Sequence, residues 1–439
     1  MPNWQAIFAT NERRKLLRNS GWLLTDKLMR TAVGVVVSVT IARHLGPTEF
    51  GILSFSTTLT GIFAMLAGLG LEDVLVCDLV RATPERRTAW RAAWQVRWGA
   101  AVAAFAGSVI VAWAWRPEAP RVWAVVAIVA CGLLFAPVNL VDVWFLANGR
   151  MRRPTVARQV ALWTAAGWRL LLVAGGASLG AFAAACVVEA ALVAVALMWI
   201  FKTENLGKWE EPPEGALAAE RRRLVRAGWP LMASGALVLM TMQADRLLLA
   251  RWWGDAAVGI YAAAARLTEV FHALPVALGA ALMPRLTTLR REDEARYWQL
   301  ARKTLAGMAL AGAGCAAVMT WCAPRLLPAL FGASYTGAAR ILCVHVWTLA
   351  FIFVASLRSR LLVIEAGTRW VLGMSLLTAL LNIGGNLLLI PRFGGMGAAW
   401  VAVGAWSFGA FGAPWCFAAT RELIRKMAAS APPVSGAGK

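Results

Sequence analysis

The chain has 439 residues, 59% of them hydrophobic and only 15% charged, with a mean hydropathy of +0.62. A soluble protein carries about 25% charged residues, so a water-soluble globular class is excluded and a multi-pass membrane protein is implied. The formal charge of +21 would by itself suit a nucleic-acid binder, but the basic residues recur in every second loop, so they read as membrane topology and no nucleic-acid partner is expected.

The first 20 residues form a basic arm with Arg13, Arg14, Lys15 and Arg18. It is not a cleaved signal peptide, because Asp26, Lys27 and Arg30 interrupt the apolar segment behind it and no small-residue cleavage site follows. Apolar segments then run near 21–43, 50–77, 92–115, 121–147, 156–176 and 180–201. A polar stretch at 202–227, first acidic, then a proline pair, then Arg221 to Arg223, reads as a flexible cytoplasmic linker. Six further apolar segments run near 228–251, 257–284, 303–323, 338–362, 369–390 and 396–420, before a tail at 421–439 whose small and polar residues read as disordered. The expected fold is therefore all-α and multi-pass, with about twelve transmembrane helices in two six-helix pseudo-symmetric lobes around a central cavity. The N-lobe covers 21–201 and the C-lobe 228–420.

Alternate loops set the orientation. The N-terminal arm, the loops around Arg86, Arg152 and Arg290, the linker, the group Arg358/Arg360/Arg369 and the tail are basic. Those around Gly46, Pro117, Ser178, Gly254, Arg325 and Arg392 are poor in charge. The positive-inside rule then puts both termini and the linker in the cytoplasm.

The chain repeats itself. Ala42 to Ile52 reads Ala-Arg-His-Leu-Gly-Pro-Thr-Glu-Phe-Gly-Ile, and Ala250 to Ile260 reads Ala-Arg-Trp-Trp-Gly-Asp-Ala-Ala-Val-Gly-Ile. Both lie where one apolar segment ends and the next begins, as in a transporter built by duplication. A weaker echo pairs Arg169 to Val173, followed by Gly180-Ala181, with Asn386 to Ile390, followed by Gly397-Ala398.

Ionisable residues inside apolar segments cost about 2.5–3.5 kcal/mol each on insertion scales, so they mark partners or a wet cavity. Asp26, Lys27 and Arg30 lie in the first segment; Asp245 and Arg246 in the seventh; Arg266, Glu269 and His272 in the eighth; Asp142, Arg169, Glu189 and His345 stand singly. Asp26–Arg30 and Arg266–Glu269 read either as ion pairs locking helices or as functional groups. Lys27 and Arg30 are also within snorkelling reach of the cytoplasm. If the two halves pack face to face, the charged helices line a cleft that is basic on balance, from Lys27, Arg30, Arg246 and Arg266. Its natural cargo is a phosphate-bearing anion. Asp26, Asp245, Glu269 and His272 are the candidates for a coupling proton or sodium ion.

No catalytic motif is present: there is no phosphate-binding Gly-x-x-x-x-Gly-Lys loop, no His-Glu-x-x-His and no Gly-x-Ser-x-Gly. No enzyme activity, metal or cofactor is expected. The seven cysteines sit in or beside apolar segments without ligand spacing and read as small filler, and the 23 tryptophans suit interfacial belts.

Ile41 to Gly51, the stretch Ala244 through Gly254 to Tyr261, Ala265 to Leu267, Met283-Pro284, Asn382, Asn386 and Ile390 to Gly394 resemble the bacterial polysaccharide flippases of the Wzx type. These belong to the multidrug/oligosaccharidyl-lipid/polysaccharide exporter (MOP) superfamily. The resemblance implies two six-helix lobes and alternating access driven by an ion gradient. It implies transport of undecaprenyl-diphosphate-linked oligosaccharide from the cytoplasmic to the periplasmic leaflet of the inner membrane, for O-antigen, exopolysaccharide or capsule synthesis. It carries Asp245, Arg246 and Arg266 as cavity residues. It carries Gly46, Pro47, Gly254 and Gly259 as turn-formers, with Pro391 and Gly394 in the turn after the eleventh helix. Expected partners are the lipid-linked oligosaccharide, membrane lipids, and a polysaccharide polymerase or chain-length regulator. Two other readings stand beside it. A drug or cation exporter of the same superfamily would need a cavity dominated by carboxylates and aromatics. A membrane polysaccharide polymerase or ligase would need a large outer loop.

Overall fold

The computed structural model describes residues 10–80, 86–203, 214–365, 368–418, 420, 421 and 425, and shows helix with no strand among the described residues. This is what an apolar medium demands, because a helix satisfies its own backbone polar groups where no water can. In chain order the helices are α1 (Thr10–Gly68), α2 (Leu71–Val80), α3 (Arg86–Trp115), α4 (Pro120–Ala130), α5 (Leu140–Ala147), α6 (Arg152–Ala174) and α7 (Leu179–Thr203). They continue with α8 (Glu214–Trp252), α9 (Gly254–Glu269), α10 (Ala273–Glu292), α11 (Glu294–Phe331), α12 (Thr336–His345), α13 (Thr348–Glu365) and α14 (Thr368–Ser407). Short 3-10 turns join α4 to α5 (Cys131–Asn139) and α9 to α10 (Val270–His272), and α14 runs into a π-helical turn, Phe408–Gly412.

The twelve apolar segments fall on helix, but among the described residues six helices are long and apolar enough to cross a bilayer, or seven if the bent pair Ala333–His345 and Thr348–Leu362 counts as one span. The difference has physical causes. The first segment is loaded with charge. The first and second run on as one helix, α1, broken only at Gly46 (φ 72, ψ 174), so the expected loop near residue 46 is a single-residue kink. The eighth is divided by the 3-10 turn at Val270–His272.

Three further expectations need correction. The basic arm is not separate from the first helix: from Thr10, the first described residue, it is already part of α1. The linker is helical from Glu214 onward, because Ala216 to Arg223 is an unbroken run of strong helix formers; residues 204–213 and nearly all of the tail lie outside the described residues. Gly259 forms no turn: it is a buried residue within α9.

The chain divides into two compact units, Met1–Ala236 and Leu237–Lys439, with the division inside α8. In the first unit α1 packs on α3, α4, α6 and α7, and α6 packs on α7. Its basic end is closed by Leu71, Leu75 and Leu79 of α2, Trp90 of α3, Leu140 of α5 and Leu224 of α8. Leu224 is fully buried there, so the amphipathic start of α8 is part of this core. In the second unit α11 packs on α12 and α13, α9 on α12, and α14 on α9, α12 and α13.

The internal echo has a structural counterpart in each unit. Gly46 and Gly254 share a left-handed backbone, φ 72 and φ 76, which a residue with a Cβ adopts only under strain. In the first unit the neighbouring His44 donates from Nε2 to the carbonyl of Ala177, 2.9 Å away, just after the fifth apolar segment. In the second unit Trp253 donates from Nε1 to the carbonyl of Ile390, 2.7 Å away, at the end of the eleventh. Pro391 follows within α14, and Gly394 (φ 57) supplies the break.

A Cβ at Gly394 would lie 3.0 Å from the Trp253 ring as well as straining φ. Gly394→Ala is expected to destabilise the protein by about 1–3 kcal/mol, read as a lower thermal midpoint in detergent. Gly404→Ala, at a helical position with nothing within 4 Å of the new Cβ, is expected to hold or raise the midpoint.

Candidate functional site

The second unit gathers most of the charged residues singled out in the sequence. Helices α8 and α9 form a hairpin about Gly254, which brings Asp245 and Arg246 of one helix against Tyr261, Arg266 and Glu269 of the other. Glu269 is the hub. Its Oε1 accepts a hydrogen bond from Nη2 of Arg246, and its Oε2 lies 3.4 Å from Nη1 of Arg266. One carboxylate thus holds two guanidiniums. The site is graded in exposure: the Arg246 side chain is 12% exposed, Glu269 30% and Arg266 40%. The guanidinium of Arg266 is therefore the part of this cluster best placed to meet a ligand.

Asp245 has a different setting. It is buried, accepts the hydroxyl of Tyr261 at Oδ2, and accepts the backbone N–H of Arg246 at Oδ1, 2.8 Å away. Both of its oxygens are engaged, which suits a fixed anchor for the hairpin. Behind it His345 of α12 is buried, with Nδ1 3.1 Å from the hydroxyl of Thr268 and its ring edge-on to Tyr261. His345 is thus a hydrogen-bonded core histidine. His272, in the 3-10 turn after α9, is half-buried.

The single charges of the first unit also find partners. Arg169 of α6 pairs with Glu189 of α7 at 2.7 Å, and Asp142 of α5 pairs with Arg158 of α6, whose Nη2 also donates to Asn139 at 2.8 Å. These pairs lock neighbouring helices. Arg30 lies in α1 and is half-buried, while the side chains of Asp26 and Lys27 lie outside the described residues.

Three participants do not stand out in the sequence. Tyr261 has a signal: it is one of three tyrosines in the chain and lies inside an apolar segment, although tyrosine in a membrane protein usually sits at the interface, and the structure buries it fully. Arg97, buried in α3, pairs with Glu72 at 3.2 Å. Arg358, counted with a basic loop, is instead buried within α13 and donates to the carbonyls of Gly409 and Ala410 in the π-helical turn. A π-turn leaves carbonyls without their usual helical donors, and the guanidinium supplies them.

The fold and the charged hairpin define a class, a multi-pass helical membrane protein. The solved structures bear out the fold. The chain is similar to the lipid II flippase MurJ in its inward closed conformation (12% identity, TM-score 0.72, covering 90% of this chain and 87% of that one). It is similar to an inward-facing multidrug resistance MATE family transporter of the MOP superfamily (14%, 0.63, covering 90% and 96%). It is also similar to the Vibrio cholerae MATE transporter VcmN in the bent form (16%, 0.55, covering 94% and 98%). No curated protein matches the sequence. The family described as polysaccharide biosynthesis protein matches residues 16–290, well over half of the chain, and MatE matches residues 230–388. The chain belongs to the polysaccharide biosynthesis protein family.

Tyr261→Phe removes a partner from a buried carboxylate and is expected to cost about 1–3 kcal/mol. Arg266→Ala, at the exposed edge of the cluster, is expected to cost less than about 1 kcal/mol. Thermal unfolding of the two purified variants in detergent checks the order.

Proposed function

We propose that the protein is an ion-gradient-coupled flippase of the bacterial inner membrane. It moves undecaprenyl-diphosphate-linked oligosaccharide from the cytoplasmic to the periplasmic leaflet by alternating access, with both termini cytoplasmic. The observation that carries this reading is the single carboxylate of Glu269 shared by Arg246 and Arg266 at the exposed edge of a buried charged cluster. Membership of the polysaccharide biosynthesis family supports the pathway, and a protein of the same fold is a lipid II flippase.

The physical task is to carry a diphosphate past hydrocarbon, which is prohibitive without charged partners. Guanidinium binds phosphate oxygens with paired hydrogen bonds. In the arrangement seen, Glu269 occupies both arginines, so phosphate and Glu269 compete for them. Protonating Glu269 removes one negative charge and frees Arg246 and Arg266 for the diphosphate; deprotonation returns the carboxylate and expels it. Proton and substrate are thereby coupled at one group. His272 is a second proton acceptor within the same turn of chain. Asp245 serves as an anchor for the hairpin. Released on the outer leaflet, the oligosaccharide is substrate for a polysaccharide polymerase, in O-antigen, exopolysaccharide or capsule assembly.

A second reading, a drug or cation exporter, is favoured by the MatE match and by a cavity of about 240 Å³ in the first unit whose lining carries Glu72, Asp73 and Asp142 against one cation, Arg158. Cation efflux in a pump-deficient strain separates the two readings.

Arg246→Ala and Arg266→Ala are expected to lower surface polysaccharide at least about tenfold while the protein stays in the membrane. Normal glycan in both variants removes these arginines from the mechanism. Binding of a polyprenyl diphosphate to the purified wild type is expected to strengthen as pH falls, because the proton neutralises the competing carboxylate. Glu269→Gln is expected to bind tightly and with little pH dependence, and an unchanged pH profile in that variant contradicts the coupling.

A further inference from the structure

A cavity of about 970 Å³ lies along the surface of the first unit between α6 and α7. Its lining is apolar apart from Thr164 towards one end and Arg152, Arg153 and Thr203 at the other. Val160, Val195 and Trp199 are 61%, 67% and 68% exposed and form its walls, and Ala157 contributes to a floor of small residues. Arg152 and Arg153, the first two residues of α6, stand exposed at one end, beside the last turn of α7. The groove runs along α6 from Arg152 to Thr164. At 1.5 Å per residue this is about 18 Å, close to the roughly 15 Å hydrocarbon depth of one leaflet.

We propose that this groove is a binding site for an anionic glycerophospholipid, with an acyl chain along the apolar channel and the headgroup phosphate at Arg152 and Arg153. The length fits a lipid of one leaflet. The two guanidiniums lie where the headgroup of such a lipid falls, and the start of α6 adds the positive end of a helix dipole. Trp199 sits near the same end, at the depth where tryptophan prefers the interface. The charge pattern selects the lipid class: no aspartate or glutamate is among the described lining residues, so nothing in the groove balances the ammonium of a zwitterionic headgroup. Basic pockets between transmembrane helices bind acidic headgroups by this chemistry. The site is independent of the transport reading, since it needs neither Glu269 nor a lipid-linked sugar.

The test is native mass spectrometry of the purified full-length protein in detergent. The added ligands are palmitoyl-oleoyl phosphatidylglycerol, palmitoyl-oleoyl phosphatidylethanolamine, undecaprenyl phosphate or inorganic phosphate, and thermal midpoints are read in parallel. The expected result is about tenfold greater retention of phosphatidylglycerol than of phosphatidylethanolamine. That retention should fall about tenfold in the double variant R152Q/R153Q and in Ala157→Phe, which fills the floor and leaves both arginines in place. Arg296→Gln, an exposed cation in α11, should retain the lipid like wild type. Circular dichroism confirms that each variant keeps its helix content. Equal retention of the two phospholipids, or full retention in R152Q/R153Q, overturns the proposal. Stronger retention of undecaprenyl phosphate than of phosphatidylglycerol overturns it in favour of the transported lipid. Stabilisation by inorganic phosphate equal to that by phosphatidylglycerol overturns the role of the groove.

Discussion

The interior of a bilayer offers no water to a charged side chain, and the buried charges of this protein are held by partners within the same unit. Arg169 has Glu189, Arg158 has Asp142, Arg97 has Glu72, and Arg358 has two carbonyls of a π-helical turn. These contacts join helices that are otherwise packed through alanine, valine and leucine, surfaces that lipid covers as readily as protein does. Breaking such a pair by removing one member leaves a charge without compensation and costs about 3–5 kcal/mol in a buried site. The polar contacts therefore specify which helix lies against which.

The cluster at Glu269 departs from this pattern. At Glu269 two cations share one anion, and the sharing is unequal, because Arg246 is largely buried while Arg266 reaches the exposed edge at 3.4 Å. A pair whose only task is to lock helices is closed, like Arg169 with Glu189. A carboxylate divided between two guanidiniums at a graded edge is open to exchange with another anion. This distinction separates the candidate site from the structural pairs of the first unit, and it gives a proton a defined effect there.

Much of this architecture is legible in the chain. The apolar segments mark the helices because hydrophobic length is what a bilayer selects. The echo around Gly46 and Gly254 marks the duplication because both positions need a left-handed backbone that glycine alone adopts freely. The hairpin charges are visible as ionisable residues in apolar surroundings. Their pairing is not, since Arg246 meets Glu269 only through the fold, and Asp245 meets Tyr261 although Arg246 is its neighbour in sequence. Charge counting assigns Arg358 to a loop because it lies near a helix end, whereas carbonyls released by a distant π-turn draw it inward. Gly259 echoes Gly51 in sequence, but both are buried helix residues rather than turns. The start of α8 reads as linker because its arginines hide the apolar stripe that buries Leu224.

The central claim is that protons and a lipid diphosphate exchange at Glu269. Proteoliposomes containing the purified protein, an internal pH indicator and a fluorescent undecaprenyl-diphosphate sugar lipid test it most directly, by following lipid flipping and proton movement together. The account predicts that flipping is accompanied by proton movement, and that Glu269→Gln abolishes that movement and the dependence on a pH gradient. Flipping at the wild-type rate with proton flux intact in Glu269→Gln would contradict it.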